Sequence, residues 1–118
     1  MVLLIMKTIT VKFYQSDAGK EPVKEWLKSL CRDDKRIIGE DIKTVEFGWP
    51  LGMPLVRKMD KNLWEVRSDI TNKEIARVFF TVKQGLMILL HGIKKKTEKT
   101  PPNDLDIAKD RRDRVLNS

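Results

Sequence analysis

Leu63–Lys99 (LWEVRSDITNKEIARVFFTVKQGLMILLHGIKKKTEK) decides the fold. Leu63 to Arg67 alternates, placing Leu63, Glu65 and Arg67 on one face of a strand and Trp64 and Val66 on the other. Glu74 to Val82 is a second strand, with Ile75, Arg77 and Phe79 on one face and Ala76, Val78 and Phe80 on the other. Lys83-Gln84-Gly85 makes a hairpin turn. Leu86 to Ile93 is almost wholly apolar and therefore reads as a central strand covered on both sides. The spacing predicts an antiparallel meander. Upstream, Val56–Met59 is a short strand or the lead-in to one, closed by the turn Asp60-Lys61-Asn62.

The residues before this stretch supply another strand and two helices. Thr8–Tyr14 alternates Ile9, Val11 and Phe13 with polar neighbours, and Ser16–Gly19 ends it with turn chemistry. Pro22 suits a first helical turn, and Val23, Trp26, Leu27 and Leu30 then form one apolar stripe. Trp26 on that stripe reads as core rather than as an interaction anchor. Asp33 or Asp34 can cap a second helix striped by Ile38, Ile42 and Val45. Gly48 is expected to end it in the left-handed conformation, with Pro50 forbidding continuation. The short join between the two helices predicts an αα-hairpin. Downstream, Pro101 and Pro102 halt the last strand. Asn103 can cap a C-terminal helix (103–118) carrying a thin apolar side: Leu105, Ala108, Val115 and Leu116. That helix is expected to dock weakly, or to order on a partner. The expected architecture is an α+β domain spanning 1–118: an N-terminal strand, the helical hairpin, then an antiparallel meander of three or four strands, forming a four-stranded twisted, largely antiparallel sheet with the hairpin on one face and a C-terminal helix. The other face is left for chemistry.

The chain has 118 residues and a net charge of +7, and the excess is local. Residues 1–55 hold nine Lys/Arg against eight Asp/Glu, residues 56–100 eleven against five, and residues 101–118 four against four. A net +6 confined to the meander points to an anionic partner, with a solvated lysine face as the plain alternative. Cys31 is the only cysteine, which excludes an internal disulfide and fits a reducing cytoplasm. Met1–Met6 (MVLLIM) is too short to span a bilayer, and either Met1 or Met6 can be the native start, the latter leaving an upstream extension.

There is no phosphate-binding glycine loop or dinucleotide fingerprint, and a single histidine cannot form a pair of metal ligands. No cofactor is expected. What remains is Arg, Lys, His91 and scattered carboxylates. That set suffices for RNA cleavage by the RNA's own 2′-hydroxyl, where a protein must orient the nucleophile, stabilise the phosphorane and move protons. Arg67, Arg77 and the Lys94–Lys96 run come from consecutive strands and can converge. Each has a structural alternative: an ion pair of Arg77 with Glu65 or Asp69, of Arg67 with Glu74, a solvated lysine strand end, and a core position for His91. Lys58, Lys61, Lys96 and Lys99 are candidates for contacts to RNA phosphates. With no obvious local partner, Arg77 is expected to tolerate alanine with the fold nearly intact.

The opening TVKFY strand, the PVKEWL helix, LWEVR, the arginine of IARVFF, and LLHGIKKKTEKTP together resemble the HigB-like, phage-derived branch of the RelE/ParE toxin superfamily, from about Lys7 to Arg112. The resemblance implies two N-terminal helices on a four-stranded antiparallel sheet. It implies the toxin of a type II toxin–antitoxin pair, acting as a ribosome-dependent, metal-independent mRNA endoribonuclease. Its partners would be a HigA-like helix-turn-helix antitoxin, the ribosome and mRNA. The matching positions imply catalytic roles for Arg67, Arg77, Lys94 and Lys95, with His91 a candidate acid or base. Glu65 stands where several RelE-type toxins carry lysine, and the only tyrosine is Tyr14, far from the C-terminus. The alternatives are a ParE-like gyrase-inhibiting toxin without nuclease activity, and a regulator that binds nucleic acid without turnover.

Overall fold

The computed structural model describes residues 6–118. Most of the apolar N-terminal extension, residues 1–5, lies outside the described residues. Five strands form one mixed sheet: β1 (Thr10–Phe13), β2 (Val56–Asp60), β3 (Leu63–Asp69), β4 (Ile75–Lys83) and β5 (Leu86–Lys95). The spatial order is β1-β5-β4-β3-β2. β2 to β5 are the expected antiparallel meander. β1 adds a fifth strand, parallel to β5, with Thr10 opposite Leu86 and Phe13 opposite Leu89. The four-stranded antiparallel expectation thus becomes five strands, mixed: the hairpin α1–α2 carries the chain from β1 to the far edge of the sheet, where β2 runs opposite to β1, and the three reversals of the meander bring β5 back parallel to β1. Gln84 and Gly85, both at positive φ (51° and 76°), make the two-residue β4–β5 turn whose twist matches its strands.

Helix α1 (Pro22–Lys28) and helix α2 (Arg32–Gly48) pack on one face of the sheet. Val23, Ile38, Ile42 and Val45 meet Val66, Val78, Phe80, Met87 and Leu89 there. Each fully buried aliphatic or aromatic side chain of this kind contributes about 1.5–3 kcal/mol. Trp26 packs against this cluster, and Gly92 is what admits it: a Cβ at position 92 would lie 2.3 Å from the indole. Trp49 meets Trp64 edge-on at 4.9 Å, which pins the α2–β2 loop to the sheet.

Three capping expectations change. Cys31, not an aspartate, occupies the N-cap of α2, and Asp33 and Asp34 fall in its first turn. Asp34 is buried there because it accepts from Thr71 N at 3.0 Å and Thr71 Oγ1 at 2.8 Å, joining the helix to the β3–β4 connection. Gly48 is the last helical residue, and the chain leaves through Trp49 in an extended conformation (φ −58°, ψ 137°) without a left-handed step. The C-terminal helix α3 (Pro102–Leu116) is capped by Pro101, not by Asn103.

The second face of the sheet is not left open. α3 lies across it, burying Ala108 completely with Leu63, Phe79, Ile88, Leu90 and Ile93. Arg112 fastens the helix to the β2–β3 turn, donating to Asp60 Oδ2 at 2.6 Å and to the Lys61 carbonyl at 2.8 Å. Lys83 Nζ donates to the Val115 carbonyl at 2.9 Å, near the helix C-terminus. The weak docking expected from a thin apolar side is replaced by a helix held at both ends through charge. Among the described residues no helix is long and apolar enough to cross a membrane.

Candidate functional site

The face beneath α3 carries the cations. Arg67 on β3 stands directly opposite Arg77 on β4, which in turn opposes Ile93 on β5. The neighbouring row across the sheet is Arg57, Glu65, Phe79 and His91. Arg57 enters this row because of a bulge between Lys58 and Asp60 in β2. Without the extra residue, the pairing of Asp60 with Leu63 would continue so that Lys58 faced Glu65. The bulge exchanges the two, placing Arg57 opposite Glu65 and turning Lys58 to oppose Trp64 on the helical-hairpin face.

Glu65 sits amid Arg57, Arg67 and Arg77, and it is almost completely buried. Desolvation outweighs the pull of these cations and holds its carboxyl above the usual glutamate range. Arg77 is fully buried, and the same desolvation lowers its guanidinium pKa. Arg77 Nε lies 3.7 Å from Glu65 Oε1, the ion pair weighed as the structural alternative. That distance is too long for a hydrogen bond. Arg77 Nη2 donates to the Thr97 carbonyl at 3.0 Å and also to the Glu98 carbonyl. Among the described residues, Nε and Nη1 have no hydrogen-bond partner. Arg67 is partly exposed and pairs through Nη2 with Glu98 Oε2, while Glu74 pairs instead with Lys94 at 3.9 Å. Thr100 Oγ1 completes the cover, donating to Glu65 Oε2 at 3.1 Å. The segment 97–100 thus roofs the arginine row.

Lys94 and Lys95 are successive strand residues, so they point to opposite faces. Lys95, opposite Ile75, shares the arginine face, whereas Lys94, opposite Ala76, points toward Asp34 and Glu74. Lys96, just before the roofing segment, and Lys99, within it, are exposed. Lys61, in the β2–β3 turn, is at the other end of β3 from Arg67, roughly 15 Å away. His91 is mostly buried under α3 and stacks over Phe79 at 6.0 Å. Its Nε2 contacts Asp104 Oδ1 at 2.8 Å, and Arg111 Nη1 reaches its Nδ1 at 3.4 Å. Arginine only donates, so Nδ1 accepts and Nε2 carries the proton given to Asp104. Arg111 also donates to the carbonyl of Leu90 at 2.8 Å, the residue added to β5 by the bulge at Phe79/Phe80, and lies 5.5 Å over the Tyr14 ring.

A sequence profile of the family described as phage-derived Gp49-like proteins (DUF891) matches residues 25–113. The chain belongs to this family. The matched span runs from within α1 through most of α3 and so includes every residue of the arginine row and its roof. The Gp49-like family is associated with the toxins of toxin–antitoxin systems, and membership implies an antitoxin partner. No curated protein matches the chain.

In this Gp49-like chain, the site offers fixed cations and one buried carboxyl. Among the described residues no group of three His, Cys, Asp or Glu is placed to hold a metal ion. A cleft of about 390 Å³, lined by Ile37, Asp41, Pro54, Leu55, Arg67 and Asp69, opens beside Arg67. A larger hollow of about 720 Å³ lies between β1, the β4–β5 turn and the end of α3, and none of the expected site residues lines it. Arg57, Glu98, Asp104 and Arg111 were not singled out from the sequence. The bulge in β2 hides Arg57, and the other three depend on how the segment after β5 folds back. Only the lone acid within KKKTEKT marks Glu98.

Proposed function

We propose that this chain is a HigB-like toxin that cuts mRNA on the ribosome, without a metal, by attack of the RNA 2′-hydroxyl. The observation that carries the reading is the convergence of Arg57, Arg67 and Arg77 around Glu65 on one face of the sheet. Arg67 and Arg77 would clamp the scissile phosphate, since a guanidinium fork matches phosphate oxygens and stabilises the phosphorane charge. Lys95, on that face, would add charge where the 5′-oxygen leaves, and Lys94 would serve the message from the strand end. His91 is the remaining candidate acid or base, once α3 releases its two nitrogens. Lys96 and Lys99 would contact RNA phosphates beside the site, whereas Lys58, on the helical-hairpin face, and Lys61, at the far end of β3, would hold ribosomal RNA away from it. The antitoxin would be a helix-turn-helix protein of the HigA type, acting with the toxin in the cytoplasm.

The test is a programmed ribosome carrying a message with one cut site, with and without a 2′-deoxy sugar there. The natural message is expected to yield a 2′,3′-cyclic or 3′-phosphate and a 5′-hydroxyl, also in excess chelator with ribosomes held together by polyamines. Free RNA is expected to be cut poorly, because the ribosome holds the message in line for attack. Rapid cutting of the 2′-deoxy message sinks the mechanism. Gyrase-dependent DNA breaks in cells, without new mRNA ends, sink the nuclease reading altogether.

A further inference from the structure

We propose that Thr97–Glu98 is an internal occupant of the arginine site, a stand-in for an RNA phosphate that must be displaced before the site can act. This rests on the phosphate-binding reading of Arg67 and Arg77. The segment presents three acceptor oxygens to two guanidiniums: the Thr97 and Glu98 carbonyls to Arg77, and the Glu98 carboxylate to Arg67. An anion thus already sits at the solvent-facing arginine, supplied by the chain itself.

The occupant fits incompletely. It takes only Nη2 of Arg77 and leaves Nε and Nη1 of a fully buried guanidinium without hydrogen bonds among the described residues. A phosphate can take two nitrogens of one guanidinium side by side, so it can satisfy donors that the peptide carbonyls leave idle. The Glu98 side chain is itself 75% exposed, so burial does not hold it in place. An ion pair of that exposure contributes little to stability, and losing it costs little. The carbonyls of residues 97 and 98 regain water when the segment lifts. Lys95, Lys96 and Lys99 surround the single acid, so the displaced segment becomes a cationic flap against an incoming RNA backbone.

The isosteric Glu98→Gln removes the internal anion. Glu40→Gln removes an equally exposed carboxylate, on α2, paired with Arg36, and controls for net charge. Binding is read by anisotropy of a labelled single-stranded oligonucleotide with 2′-deoxy sugars, which cannot be cut by the proposed chemistry. Glu98→Gln is expected to tighten binding about three- to tenfold at low salt, with Glu40→Gln changing it by less than about twofold. The gain is expected to vanish when Arg67→Ala is added to Glu98→Gln. Equal binding by the wild type, Glu98→Gln and Glu40→Gln, together with ribosomal cleavage by the wild type, overturns the internal occupant and leaves the nuclease reading standing. No binding by any of them at low salt overturns the internal occupant, and absence of ribosomal cleavage by the wild type as well overturns both.

Discussion

Arg67 and Arg77 are directly opposed across β3 and β4, two like charges in the closest cross-strand relation a sheet allows. Such a pair is destabilising unless anions lie between or beyond it. Glu65 supplies one from beneath and the roofing segment supplies acceptors from above. The two arginines nevertheless differ: Arg77 is sealed in the fold and Arg67 reaches solvent.

Arg77→Ala is therefore expected to cost stability as well as activity, contrary to the near-intact fold expected from sequence. It leaves Glu65 buried without its cation, a loss of about 3–5 kcal/mol. Urea denaturation checks this, and an unchanged midpoint refutes it. Arg67→Ala is expected to shift stability by less than about 1 kcal/mol while abolishing toxicity. Full toxicity in a well-expressed Arg67→Ala variant counts against the phosphate clamp.

Asp34 ties stability to pH. The Thr71 backbone N–H is the main cause of its lowered pKa. Its contribution is complete above the unfolded aspartate value and is lost as pH falls through the lowered folded value. Glu65 acts in the opposite sense: its raised pKa favours the folded state as pH falls. Asp34→Asn is expected to cost about 2 kcal/mol at pH 7 and to flatten the acid limb of the stability curve. Parallel curves for the variant and the wild type between pH 5 and about pH 2 would show that Asp34 has no such role.

Gly92→Ala places a methyl group inside the Trp26 ring contact and is expected to destabilise by about 1–3 kcal/mol. Adding Trp26→Leu to Gly92→Ala is expected to recover part of that loss, since the smaller side chain frees the space. Thermal melts of the two single variants and the double variant measure the coupling, and strict additivity rules out the contact as the cause.

His91→Ala is expected to loosen α3 rather than unfold the sheet. The Asp104 and Arg111 contacts go with the ring, at a cost of about 1–2 kcal/mol. Hydrogen exchange provides the readout, with faster exchange expected in residues 102–116 and unchanged exchange in β4. Uniform acceleration through the sheet would place His91 in the core instead.

The meander, the two hairpin helices and the +6 middle segment were legible from local pattern. Period-two alternation put Glu65, Arg67 and Arg77 on their observed faces, and the apolar run Leu86–Ile93 announced a central strand. The Arg77–Glu65 alternative was also visible, because a buried cation needs an anion. Two of the unpredicted features come from single-residue events. One bulge residue in β2 exchanges Arg57 and Lys58 between faces, and another in β5 sets Leu90 and His91 on the same side. Neither carries a glycine that would advertise it.

What the sequence by itself determined is which segments are strands and helices, which face of each is apolar, and where positive charge accumulates. Those follow from side-chain period and turn chemistry, which act over a few residues. Only the tertiary structure decided that β1 joins parallel to β5, that α3 covers the second face, and that Glu98 meets Arg67 from 31 residues away. These depend on pairing between distant segments, where strand hydrogen bonds, buried apolar area and charge partners far apart in sequence set the outcome and no local preference does. The thin apolar side of α3 understated its docking for that reason, since Arg112, Arg111 and Asp104 hold the helix through partners contributed by β2, β5 and the turns between strands.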